Sequence, residues 1–226
     1  MNRRVVLYTI GQIVGVEAVV MLLPLAVSLM YGESCYSAFL ITIAVAAAVS
    51  LAALVFAKPR NHVIYAKEGF ATVALAWIIM SAIGALPFVI SGEIPSYVDA
   101  WFETVSGFTT TGSSIVTDVE ALSHGILFWR SFTHWLGGMG VLVFIMAILP
   151  SSSDRSIHIM RAEVPGPVVG KLVPKIRETA KILYLIYMAL TLIEIVFLLF
   201  GGMPLFDSVV HSLGTAGTGG FGIKGD

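Results

Sequence analysis

The chain has 226 residues, of which 57% are hydrophobic and only 12% charged, with a formal net charge of −1 at pH 7. Soluble domains carry about 25% charged residues, so this deficit and the long apolar runs assign the chain to a bilayer. The near-neutral balance excludes a nucleic-acid surface, and a lone cysteine, Cys35, excludes an internal disulfide and a thiolate-based metal site.

A transmembrane helix needs roughly 20 apolar residues. Val5–Tyr31, Ser37–Ala57, Gly69–Ser91, Ile126–Leu149 and Ile182–Gly202 meet that requirement. The first run has only a short basic start and is too long for the apolar core of a signal peptide. Basic residues fall in three places: Arg3 and Arg4; Lys58, Arg60 and Lys67; and Arg155, Arg161, Lys171, Lys175, Arg177 and Lys181. Five spans put all three on one side, which the positive-inside rule makes cytoplasmic, with the N-terminus there too. The opposite loops hold Glu33, Glu93, Asp99, Glu103, Asp118 and Glu120 and almost no base. That acidic face would concentrate cations mildly.

Between the third and fourth spans the pattern breaks. Pro95–Ser123 is too short and too polar to cross the bilayer twice. Ser96–Phe108 reads as a helix, and Thr109-Thr110-Thr111-Gly112-Ser113-Ser114 follows it. β-Branched and small hydroxyl residues favour extended backbone, and Gly112 opens conformations closed to other residues. A short helix followed by an extended Thr/Gly strand is a re-entrant pore loop. Such backbone is tolerated at membrane depth only when buried in protein or lining a watery path.

The arrangement recurs after the fifth span. Ser208–Leu213 reads as the second pore helix and Gly214–Gly222 as the second strand. A shift of 108 residues superposes Asp99 on Asp207, Gly112 on Gly220 and Asp118 on Asp226. Repeats of this kind are common in transport proteins. The chemistry implied is cation dehydration, in which main-chain carbonyls replace water around the ion. Each pore helix would aim its negative C-terminal end at the cation. Asp99 and Asp207, near the helix N-termini, suit the dipole and could cap amides there.

These residues resemble the Trk/Ktr/HKT superfamily of potassium transporters, and within it bacterial TrkH-type subunits. The resemblance is carried by Thr-Thr-Thr-Gly-Ser at 109–113 and Gly-Thr-Gly-Gly-Phe at 217–221. Asp99-Ala100-Trp101-Phe102-Glu103 and Leu136-Gly137-Gly138-Met139-Gly140 add to it. It covers essentially the whole chain and implies an all-α integral membrane protein of helix–pore-loop–helix repeats. Residues 1–66 would form a peripheral two-helix hairpin and 67–150 the first repeat. Residues 151–181 would be a cytoplasmic linker and 182–226 the start of a second, incomplete repeat. Four such repeats would surround one axis, so residues 1–226 alone are not expected to conduct. The resemblance implies potassium uptake, with potassium held by Thr110, Thr111, Gly112 and Ser113 in one strand and Thr218, Gly219, Gly220 and Phe221 in the next. The adjacent Gly219 leaves the second register open by one residue. The resemblance also implies a bacterial inner-membrane location, a homodimer, and a cytoplasmic nucleotide-binding regulatory partner resembling TrkA. The basic linker equally suits lipid headgroups.

Other residues read as structural first. Glu17 and Glu194 lie inside spans, where a carboxylate is costly, and suggest interhelical hydrogen bonding or packing, with an ion or proton relay as the alternative. Arg130 and His134 share one helix face, and Arg130 is placed to snorkel or to pair with Glu103 or Glu120. His124 and His211 read as loop and pore-helix residues without enough partners for a metal. Gly137 and Gly138 suggest close helix packing, or room for the filter to press against the span. Lys224 is expected to pair with Asp226 or an outer acid. Trp101, Trp129 and Trp135 read as packing or interfacial residues.

A sodium-permeable or unselective transporter of the same fold is the first alternative. A membrane-embedded hydrolase using Ser113 or Ser114 with His124 or His134 is a remote one, since no hydroxyl–base pair has suitable spacing. A non-conducting receptor or scaffold would leave the repeated strands unexplained. The sequence leaves channel-like permeation and ion-coupled symport equally open.

Overall fold

A computed structural model describes residues 2–59, 66–140 and 176–225. Residues 60–65, most of the expected linker, the last nine residues of the expected fourth span and Asp226 lie outside them. The described residues form helices α1 (Arg3–Val20), α2 (Leu22–Met30), α3 (Tyr36–Phe56), α4 (Ala66–Gly84), α5 (Leu86–Ser91), α6 (Tyr97–Phe108), α7 (His124–Gly138), α8 (Ile176–Phe200) and α9 (Leu205–Ala216). Among them, four helical stretches are long and apolar enough to cross a membrane: Arg3–Met30, Tyr36–Phe56, Lys67–Ser91 and Ala180–Phe200.

Two of the expected spans are broken, each beside a proline. The first breaks at Met21, three residues before Pro24, and the third at Ala85, two residues before Pro87. Proline has no N–H for the preceding turn and its ring crowds the carbonyl four residues back, so the helix kinks there. In both cases the chain resumes as helix in the same span.

Small residues bring the helices together, as is usual where lipid removes the hydrophobic drive between them. Gly11 and Gly15 of α1 face α3, where Ser50 Oγ donates to the Gly11 carbonyl at 2.7 Å. Gly84 ends α4 against Thr104 of the pore helix and accepts from Trp129 Nε1 at 2.9 Å. The buried Phe108 ring packs edge-on against Trp129. By contrast, Phe56, Phe197 and Phe200 are at least 70% exposed, as lipid-facing residues are. Glu17 is fully buried and its carboxyl lies beside Gly84 without a hydrogen-bond partner among the described residues. Glu194 is half-buried on α8.

The two ends of the bundle are held by different contacts. At one end the Asn2 amide donates to Glu68 at 2.9 Å, which joins the start of α1 to the start of α4. At the other end the acidic loops converge. Glu33 accepts from the amides of His124 and Gly125 at 2.7 and 3.1 Å and sits 2.8 Å from His124 Nδ1. His124 is therefore the first residue of α7 rather than a loop residue. Tyr31 stacks on its ring at 3.9 Å, and Phe206 of α9 meets both rings edge-on. Cys35 lies buried next to Ser28, and burial pushes its thiol up.

Partial burial alone would raise the Glu33 carboxyl, but the amides of His124 and Gly125 and the His124 ring outweigh it and hold the carboxyl below the usual range. A lowered folded value gives stability that is present above the unfolded value and lost as pH falls through the folded one. Glu33→Gln is therefore expected to cost roughly 1 kcal/mol at pH 7, discounted for partial exposure. The difference from wild type should shrink below about pH 4, as read by melting in detergent across pH. A constant difference down to pH 3 would remove Glu33 as its source.

Candidate functional site

Both pore helices are longer or better capped than the sequence suggests. Helix α6 begins after Ser96, whose Oγ accepts from the Asp99 amide at 3.4 Å, so Ser96 rather than Asp99 is the cap. Helix α9 starts three residues earlier than expected and ends three later. Pro204 opens it at φ −56°, a value proline supplies without cost. The Asp207 carboxylate lies 3.5 Å from Lys224 Nζ, so Lys224 pairs with the acid at the second pore helix rather than standing free beside a cation path. His211 lies on α9, as expected.

The loops that follow are built alike. Thr110 and Thr218 take left-handed φ values of +54° and +57°; Gly112 and Gly220 take +77° and +80°. The Thr110 amide donates to the Gly107 carbonyl and the Thr111 amide to Ser106, at 3.0 and 2.9 Å; Thr218 and Gly219 repeat this toward Thr215 and Gly214, at 2.8 and 3.3 Å. This pairing is a Schellman end, which usually has glycine at the left-handed position. Here both positions are threonine, a strain that the surroundings must sustain. The strands are thus not uniformly extended, as the sequence suggests. Left-handed residues alternate with others at every second position. The same pattern settles the register of the repeat: Gly220, not Gly219, is the counterpart of Gly112.

Each loop returns to the end of the bundle where it started. Glu93, just before α6, accepts from the Ser123 amide and hydroxyl at 2.9 and 2.6 Å, tying the loop's entrance to its exit. The Lys224–Asp207 pair does the same for the second loop. The two loops also touch. The Cα of Gly112 packs against the Gly219 carbonyl so closely that a side chain would collide with it, and the Gly225 amide donates to Glu120 at 3.1 Å. Thr109, Thr111, Ser113, Thr218 and Gly220 are exposed, whereas Phe221 is buried, at 3% exposure for the whole residue.

Helix α7 backs both loops. Gly137 lies against the Phe108 carbonyl and Thr110; Gly138 lies against Gly217 and the Tyr187 hydroxyl. Both readings of this glycine run therefore hold, close packing and room for the loops. Arg130 and Glu103 are both buried, and Nε donates to Oε1 at 2.6 Å. Glu103 also accepts from Ser114 Oγ at 2.8 Å and the Ile115 amide at 3.0 Å, past the first glycine. Arg130 Nη1 donates to the Gly222 carbonyl at 2.9 Å, and its guanidinium lies 3.6 Å from the Phe221 ring centre, past the second. One ion pair thus holds the outgoing limbs of both loops. For Ser114 and His124 the hydrolase alternative loses its geometry here, because the Ser114 hydroxyl is held by Glu103 and the His124 ring by Glu33.

The left-handed threonines escaped the sequence reading. Their signal was the coincidence of Thr110 with Thr218 under the 108-residue shift.

An all-α bundle with two re-entrant helix–loop units, backed by a shared helix, defines a membrane transport protein of the pore-loop class. Residues 36–226 match the family model described as TrkH, cation transport protein, and the chain belongs to that family. It is 39% identical over 224 residues to the Trk system potassium uptake protein TrkH of Salmonella typhimurium, covering 98% of this chain and 46% of that protein. It is 32% identical over 219 residues to an uncharacterized cation transporter of Methanocaldococcus jannaschii, covering 97% of this chain and 45% of the other. The crystal structure of the potassium transporter TrkH from Vibrio parahaemolyticus superposes with a TM-score of 0.81 at 33% identity, over 99% of this chain and 45% of that one. The chain spans about half the length of the relatives it matches.

Proposed function

We propose that this chain supplies two of the four quarters of a potassium-selective filter in an inner-membrane uptake system. It makes and breaks no chemical bond. The observation that carries the reading is the pair of pore loops with one backbone pattern, meeting at Gly112 and Gly219. Left-handed residues at every second position turn successive peptide planes so that carbonyls of Thr110, Thr111, Gly112 and Ser113, and of Thr218, Gly219, Gly220 and Phe221, can face one side and replace the hydration shell of potassium. The C-terminal ends of α6 and α9 add their negative dipoles behind those carbonyls. Potassium is the cargo here rather than a resident cofactor.

In this reading residues 1–66 flank the pore as a hairpin and 67–150 form the first repeat. Residues 151–181 link it on the cytoplasmic side to the second, which 182–226 begin. The N-terminus is cytoplasmic, by the distribution of Lys and Arg. A homodimer and a nucleotide-binding partner resembling TrkA follow from the family likeness, and the basic linker suits that partner or lipid headgroups.

Competitive uptake of potassium, rubidium and sodium by the complete transporter, in cells lacking their own potassium uptake, tests the proposal. Strong inhibition of rubidium uptake by potassium, and weak inhibition by sodium, is the expected result. Equal inhibition by sodium would favour the unselective alternative. Absence of any cation uptake would end the reading.

A further inference from the structure

We infer that His134, on the outgoing span of the first repeat, is a positioning residue for the second filter strand, and that position 219 is glycine because His134 fills the space a side chain would need. The inference rests on the reading of both loops as filter strands.

The two adjacent glycines of the second loop are required for different reasons. Gly220 has φ +80° and open space around it, so its requirement is conformational. Gly219 is outside the left-handed region, and any residue could adopt its backbone. Its constraint is steric, because a Cβ there would run into the His134 imidazole. The first loop makes the contrast. Thr111, the counterpart of Gly219 under the repeat, carries a full side chain, with its hydroxyl 2.8 Å from that of Thr109.

His134 is completely buried, and it meets the second loop at three points. Its backbone carbonyl lies against Gly217, its ring against Gly219, and its ring centre is 3.9 Å from that of Phe221. Arg130, one turn earlier on the same face, lies against the same Phe221 ring. The backbone of Ser106, near the end of α6, lies within hydrogen-bonding reach of the His134 ring. The loop is seated in a recess whose floor is this ring, and close interiors transmit a misfit rather than absorb it.

The test is a double-mutant cycle in the complete transporter, reading potassium over sodium preference in competitive uptake together with the amount of protein in the membrane. Gly219→Ala is expected to lower the preference about tenfold at normal membrane level. In the His134→Ala background the same change should cost less than about threefold, because the recess is then empty. An equal fold-loss in both backgrounds, or no loss in either, overturns the inference. Where Gly219→Ala fails to accumulate, membrane level becomes the readout: recovery with His134→Ala supports the inference and no recovery overturns it. Gly112→Ala and Gly220→Ala separate the two readings. If neither alters ion preference, the filter assignment itself fails. If both do while the 219/134 pair behaves additively, only the role of His134 fails.

Discussion

Replacing Gly112 with serine in the complete transporter will lower the preference for potassium over sodium about tenfold, equivalent to ~1.4 kcal/mol of lost discrimination. Two independent constraints act at this position. The left-handed φ of +77° costs an L residue roughly 1–2 kcal/mol. The added Cβ would also point straight at the Gly219 carbonyl of the neighbouring loop. Relief of either requires the first strand to move, and the second must follow. On the proposed filter reading, the carbonyls that replace the hydration shell then lose their spacing, which affects the better-fitted ion most. Permeability ratios from competitive uptake or reversal potentials check this. Ratios identical to wild type, with serine at 112, would count against the filter assignment.

The second large effect is expected at Arg130. Arg130→Gln will leave Glu103 buried with a charge and no cation, a situation that costs about 3–5 kcal/mol. It also frees the Gly222 carbonyl and uncovers the Phe221 ring. Uptake should fall to background and the melting temperature in detergent should drop. Arg130→Lys will rescue only in part, because a lysine carries its charge at a point and cannot serve Glu103 and Gly222 together as the guanidinium fork does. The double variant Glu103→Gln with Arg130→Gln should melt above Arg130→Gln alone, since no unpaired charge remains. If the single and double variants melt at the same temperature, the ion pair is not what holds the loops.

Four of the five expected spans were readable because long apolar runs are coarse signals that survive local irregularity; the fourth, Ile126–Leu149, falls partly outside the described residues. The breaks at Met21 and Ala85 were readable in principle from Pro24 and Pro87, but a tolerated proline inside a span does not say whether the helix bends or splits. The loops announced themselves through Thr-rich and Gly-rich composition and the 108-residue repeat. Their actual backbone did not. β-Branched residues suggested extended chain, whereas Thr110 and Thr218 are driven into the left-handed region by the helix ends they close. That is tertiary context overriding local preference. Glu103 with Arg130 was one of several pairings the sequence allowed; the choice depends on how α6 crosses α7. Lys224 looked anomalous only because its partner, Asp207, lies at the far end of the pore helix that precedes its loop. The role of Gly219 was not legible at all, since it depends on a residue from a different repeat.

The seating of the second loop on α7 also bears on biogenesis. Glu103, Arg130, His134, Gly137 and Gly138 all precede that loop in the chain, so the ribosome delivers its mould before its casting. A nascent Gly217–Gly222 segment thus follows all of these supports in the order of synthesis.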